Sequence, residues 1–361
     1  MTTRVPTTRL SGTRTAGPGS TDGAPRRGLV LGGGGMLGAA WTVGALCAVE
    51  ESTGWRPGDA EVLLGTSAGA ILAALLAAGV DAGGLRDHQR GLPVTDGPLA
   101  GIDFDYDTAV GGALPPRPRA GIGSPGLLRD AVRHPREYPL LTMVSAIAPH
   151  GRGSLEPVGG LVGALFGPGG WPSGPPGSAL RVVAVDYRGG HRVVFGDADA
   201  PPADVAEAVM ASCAIPGWFT PVRLDGSAYV DGGCWSATNA DLMLDRGLDE
   251  VYVLAPMALR NDPRGRSKPG RGTSDPWRAR RVRDRPRGVL AQLVSRYRRA
   301  VTRQLLREAG LLRAGGVRVH LLAPTPADLA VMGPNMMDPA RRGPVLESAL
   351  ATCREALEAA R

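Results

Sequence analysis

Read for the alternation of apolar and polar positions, the chain resolves into short apolar runs separated by stretches of helical periodicity. Runs of strand length fall at 28–31, 61–64, 181–186, 192–195, 228–230, 250–255 and 317–322. Helix-compatible stretches lie at 39–51, 68–78, 203–212, 238–245, 287–311 and 341–360. The segment "RVVAVDYRGGHRVVF" (181–195) predicts a hairpin turning at Gly189-Gly190. Strands that alternate with helices predict an α/β fold, with helices on both faces of a mainly parallel sheet.

Two regions break the pattern. Residues 91–178 carry "LPPRPRAGIGSPG" and "GPGGWPSGPPGS" and read as an irregular insertion, a candidate lid or access region. Residues 261–286 read as a basic loop rich in Pro and Gly. The first 27 residues, Thr-, Arg-, Gly- and Pro-rich, predict a disordered tail. One domain is expected over 28–345, with a C-terminal helix (341–361) packing on it. In the 287–311 helix, Leu290, Val294, Tyr297, Val301 and Leu305 share one face among arginines. That face either packs on the core or meets anionic lipid headgroups.

Composition narrows the class. No apolar run reaches the roughly 20 residues of a membrane-spanning helix, and the N-terminus has no apolar core like that of a signal peptide. The expectation is a cytoplasmic protein with at most peripheral membrane contact. Cys47, Cys213, Cys234 and Cys353 are far apart, which fits neither a disulfide framework nor a zinc site. The net charge of +7 is uneven: residues 260–313 hold 17 Lys or Arg against four acids, leaving the rest of the chain acidic. Such a patch is either a solvated linker and helix face or a surface for anionic partners.

The candidate chemistry begins with "GLVLGGGGMLGAAWTVGAL" (28–46), where Gly33, Gly35 and Gly38 spell G-x-G-x-x-G after a strand. In so glycine-rich a chain about one such match is expected by chance, and a second occurs at Gly121, Gly123 and Gly126. A dinucleotide site would need an acid at the end of the next strand, about 20 residues on. That strand, "EVLLG", runs instead into Gly65-Thr66-Ser67-Ala68-Gly69, a G-x-S-x-G between an apolar strand and an apolar helix. A serine at such a turn has strained backbone and tolerates only small neighbours, and its hydroxyl stands above the sheet at a helix N-terminus. A serine needs a base. His320, the late histidine, lies inside a strand-like run and would have to leave it. Asp231, after a short strand and before Gly232 and Gly233, is better placed, and desolvation could raise its pKa for that role.

Taken in order, the glycine loop, G-T-S-A-G and D-G-G resemble the patatin-like phospholipase family of lipid acyl hydrolases. "ASCAIPGWFTPV" (211–222) and Asn239-Ala240-Asp241 add to the resemblance, which runs from about Gly28 to Ala255. It implies a patatin-like three-layer α/β/α fold with a mainly parallel central sheet. It also implies a Ser67-Asp231 dyad without histidine, and an oxyanion hole from the N–H groups of Gly33, Gly34, Gly35 and Met36. Gly38, Gly65, Gly69, Gly232 and Gly233 are then motif positions. The expected partner is a lipid or fatty-acyl ester, cleaved as by a phospholipase A or lysophospholipase. No metal, cofactor or nucleic acid is implied. One position departs: where the family usually has Arg or Lys, this chain has Leu37. The departure keeps open an alternative, a catalytically weak or inactive lipid- or membrane-binding protein on the same fold. Trp171, Trp218 and Trp235 either pack internally or line an acyl channel or interface.

Overall fold

The computed structural model describes residues 24–102, 104–105, 114–172, 179–260 and 289–360. Most of the expected N-terminal tail and the basic loop 261–286 lie outside them.

Within these residues eight strands form one sheet: β1 (Arg27–Leu31), β2 (Val62–Thr66), β3 (Ala179–Asp186), β4 (Arg192–Phe195), β5 (Val222–Leu224), β6 (Ser227–Asp231), β7 (Glu250–Leu254) and β8 (Arg318–Leu322). Their order is β5-β6-β3-β2-β1-β7-β8, with β4 pairing β3 beside this path. The pairings among β3, β2, β1, β7 and β8 are parallel, whereas β4, β5 and β6 join antiparallel. β1 starts at Arg27, inside the expected tail, and Arg26 already pairs with Glu61 at 2.8 Å.

Among the described residues ten helices surround the sheet: α1 (Gly35–Thr53), α2 (Ala68–Ala77), α3 (Ala82–Gln89), α4 (Pro125–Arg133), α5 (Leu140–Ile147), α6 (Glu156–Phe166), α7 (Val205–Cys213), α8 (Val289–Ala314), α9 (Pro326–Met332) and α10 (Arg342–Glu358). Side chains alternate between the two faces of each strand. Leu29 and Leu31 of β1, Leu63 of β2 and Leu254 of β7 therefore join one core with α1, α2, α6, α7 and α10. Val30, Leu64, Val251 and Val253 point the other way, to α8. Farther along that second face, Val185 and Val230 pack with Leu127 of α4 and Ala146 of α5. The result is a three-layer α/β/α fold whose sheet is mainly parallel.

Two expectations change. The stretch 91–178 contains α4, α5 and α6, and α6 sends Val158, Leu161 and Val162 into the main core. Proline and glycine around these helices hid them from periodicity. The helix expected over 238–245 is only a 3-10 turn at Ala240–Met243, because Asn239 before it is left-handed (φ 52). At the C-terminus α10 lies against α1, closest at Gly44, where a Cβ would stand 2.4 Å from the Leu346 carbonyl oxygen.

Candidate active site

Parallel strands end together, and loops leaving their carboxyl ends converge there. Leu31 of β1 pairs with Gly65 of β2, so the glycine loop and the Ser67 turn emerge side by side. Ser67 has φ 54 and ψ −126, a left-handed conformation that a side chain rarely adopts. Surrounding backbone enforces it. A Cβ at Gly69 would stand 2.0 Å from the Leu31 carbonyl oxygen, and one at Gly65 would stand 2.4 Å from the Ala70 Cα. The turn is also pinned from across the sheet. The Ser67 N–H donates to Ser212 Oγ at 2.8 Å, and that hydroxyl donates to the Val183 carbonyl at 2.6 Å.

Asp231 ends β6, whose pairing with Ala184 of β3 brings it to the same end of the sheet. Gly232 must be glycine, since a Cβ would meet the Val183 oxygen at 2.3 Å. The Gly233 N–H donates to Asp231 Oδ1 at 2.7 Å. Burial raises the Asp231 pKa to about 6, against the opposing pull of the Ser67 side chain and the Gly233 N–H. Ser67 and Asp231 face each other, the serine hydroxyl close enough to favour the ionised carboxylate.

The glycine loop runs close to both. A Cβ at Gly33 would stand 3.1 Å from the Ser67 Cβ. One expectation is corrected here: the Gly33 N–H is not free, because it donates to the Ala237 carbonyl at 2.8 Å. Gly32 is tied to Leu254 in the same way at 2.9 Å, so these residues fix the loop to its neighbours. Among the described residues, the N–H groups of Gly34, Gly35 and Met36 have no protein acceptor. They open the N-terminus of α1, whose dipole favours negative charge.

Ser67 lies between two cavities. One is an apolar pocket walled by Ile71, Leu72, Leu75, Phe104, Leu161 and Phe219. The other is a wider groove that also holds Asp231, Gly34 and Gly35, bordered by Leu141 and Val144 of α5 and Tyr297 of α8. Trp218 lines the groove. Trp171 instead donates to the Ala203 carbonyl at 2.7 Å, and Trp235 lies under the Arg192 guanidinium. None of the five histidines borders either cavity. His320 stays in β8, stacked on Tyr252 with ring centroids 4.4 Å apart, and β1 and β7 separate its strand from β2.

Beyond Asn239 and Asp241, which belong to the resemblance, the residues that support the site escape periodicity and motif spacing. The Asn239 amide donates to Thr66 Oγ1 (3.1 Å) and to the Ser236 carbonyl (2.7 Å), joining the strand before Ser67 to the loop after Asp231. Asp241 holds Arg192 through two bonds of 2.8 and 2.7 Å. Glu308 of α8, buried, accepts bonds from Ser236 Oγ and Thr238 Oγ1 (both 2.6 Å) and from the Ala240 N–H (2.9 Å). Leu37 is fully buried and does not reach the groove. A cation stands behind the loop instead. Arg298 of α8, also buried, donates to the Pro256 carbonyl at 2.8 Å and contacts the Met336 sulfur at 3.3 Å. The Met336 carbonyl in turn accepts the Leu37 N–H at 2.9 Å. Only the sequence position of Asn239 and Asp241, just past the D-G-G, signalled this network.

A model of the patatin-like phospholipase family matches residues 29–244, more than half of the chain. Among solved structures, VipD from Legionella pneumophila is 16% identical, with 93% of this chain and 67% of that one covered at a TM-score of 0.41. The type III effector protein ExoU is 17% identical, with 93% and 53% covered at a TM-score of 0.36. The chain thus spans about half the length of ExoU.

Proposed function

Because the chain belongs to the patatin-like phospholipase family, we propose that it is a serine hydrolase of lipid acyl esters, phospholipase A- or lysophospholipase-like. One observation supports this reading above the others. Ser67 occupies a strained left-handed turn at the junction of an apolar pocket and an open groove, opposite a buried carboxylate. The pocket suits an acyl chain and the groove suits the rest of the lipid.

In the reaction, Ser67 Oγ attacks the acyl carbonyl carbon while its proton passes to Asp231. The tetrahedral oxyanion meets the N–H groups of Gly34, Gly35 and Met36, which are fixed before charge develops and so cost no reorganisation. Collapse breaks the ester C–O bond, and the departing alcohol takes the proton from Asp231. Water then attacks the acyl-enzyme, gives its proton to Asp231, and the second collapse releases the fatty acid and restores the Ser67 hydroxyl. A carboxylate with pKa about 6 is ionised at neutral pH yet more basic than an exposed one, which suits general-base work.

Ser67→Ala and Asp231→Asn are expected to abolish hydrolysis of a p-nitrophenyl acyl ester while the fold persists by circular dichroism. Near wild-type turnover in either variant would remove that residue from the mechanism. A fluorophosphonate probe should label the wild type and not Ser67→Ala. An unlabelled wild type would favour the inactive lipid-binding alternative. The pH profile offers a further check: kcat/KM should fall as pH drops through about 6, because protonated Asp231 accepts no proton.

A further inference from the structure

Apolar exposure in this molecule is concentrated in one place. Eight large apolar side chains stay exposed among the described residues, and six of them (Leu114, Ile122, Val132, Leu140, Val144 and Ile147) lie within 114–147. Leu140, Val144 and Ile147 are spaced along α5 at i, i+4 and i+7, so they form one ridge on the helix. Their exposures are 71%, 54% and 56%. The ridge is not a loosely folded edge. Behind it, Thr142 Oγ1 donates to the Cys234 carbonyl at 2.8 Å, and the Tyr187 hydroxyl donates to the Ser145 carbonyl at 2.8 Å. The Ser124 N–H donates to the Ala146 carbonyl at 2.9 Å, which ties the segment that follows Ile122 to α5.

Two further observations indicate what covers this ridge. Val144 belongs both to the ridge and to the border of the groove that holds Ser67 and Asp231, so the apolar surface continues into the mouth of the site. The stretch that carries the ridge is positively charged: residues 114–152 hold six arginines (117, 119, 129, 133, 136 and 152), all exposed, against Asp130 and Glu137. Exposed apolar side chains in a stretch that carries a net positive charge match an anionic bilayer surface.

We infer that the α5 ridge, with the exposed arginines of the same stretch, forms a docking surface for anionic lipid membranes, seating the groove mouth on the bilayer so that a lipid reaches Ser67 without crossing water. The inference rests on the lipid-hydrolase reading of that site, yet its test separates the two. It also moves membrane contact away from α8, whose apolar face is turned to the core.

Vesicle binding is measured on full-length Ser67→Ala, so that no lipid is consumed, with Leu140→Asp and Ile147→Asp added together. Neither position lines the groove. The parent should co-sediment with phosphatidylcholine vesicles containing phosphatidylglycerol, weakly with phosphatidylcholine alone, and less as salt rises. The double substitution should weaken binding by about tenfold or more. In the Ser67 background, the same pair should depress hydrolysis of vesicle lipid and leave turnover of a soluble p-nitrophenyl butyrate unchanged. Because the four native cysteines are buried, an environment-sensitive dye on Ile147→Cys reports the contact directly and should shift to the blue on anionic vesicles. A parent that binds no vesicles, a double variant that binds like its parent, or a dye that does not shift would overturn the inference. So would a ridge that dimerises, seen as loss of a dimer in the double variant with vesicle binding intact. Soluble-ester turnover absent already in the wild type would instead count against the hydrolase reading.

Discussion

α5 and α8 cover the same face of the sheet and border the same groove, yet they dispose of their apolar side chains in opposite ways. α8 reads as a basic amphipathic helix, but Val301, Leu305 and Leu312 are buried against Val251 and Val253. Two of its charged residues are buried as well: Arg298 behind the glycine loop and Glu308 under the loop after Asp231. α5 comes from a stretch with little periodicity, is only eight residues long, and leaves its ridge in solvent. A stripe of apolar and basic residues is therefore no guide to which side faces water. What decides is whether a neighbouring strand offers complementary apolar surface, as β1 and β7 do for α8.

Paired substitutions can break this contrast. Leu305→Ala should destabilise the fold by about 2–5 kcal/mol through lost burial and a cavity, whereas Leu140→Ala should stay within about 0.5 kcal/mol. Equal midpoints in urea for the two variants would erase the distinction between the helices.

A subtler effect concerns the buried acid between them. Its folded pKa of about 6 exceeds the ordinary value, so the native state holds a proton that the unfolded state has lost between about pH 4 and 6. Stability is thus greatest below that window and falls as pH rises through it. Asp231→Asn should accordingly be more stable than wild type at pH 8, by up to about 3 kcal/mol, with the curves converging toward pH 4. Parallel curves across that range would contradict the raised pKa.

Smaller again is Ser212→Ala, which leaves the Ser67 N–H and the Val183 carbonyl without their partner. A cost of about 1–3 kcal/mol is expected, together with a kcat that falls while KM holds. A normal kcat would mean that the turn keeps Ser67 in place without help.

The central strands β1, β2 and β7 were legible because each carries an apolar run that is buried on both faces by helices. β5, three residues long, offers no period to detect. The turn at Ser67 was legible because its constraint is local: a left-handed serine with small residues on either side. Asp231 was legible only in combination, since a D-G after a strand is common. The supporting network could not be read. Ser212 reaches Ser67 from 145 positions away, and Glu308 reaches Ser236 from 72. The glycine loop shows the same limit in miniature. The sequence marks Gly33, Gly34, Gly35 and Met36 as expected donors, but it cannot show that Gly33 spends its N–H on Ala237.

By itself, then, the sequence determined the class of fold, the strained turn at Ser67 and the family, because hydrophobic period and glycine sterics act over a few residues. Tertiary structure decided which N–H groups remain free, which carboxylate loses its water, and which of two amphipathic helices turns its apolar side outward. Each of these depends on what another part of the chain places alongside, and no local pattern records it.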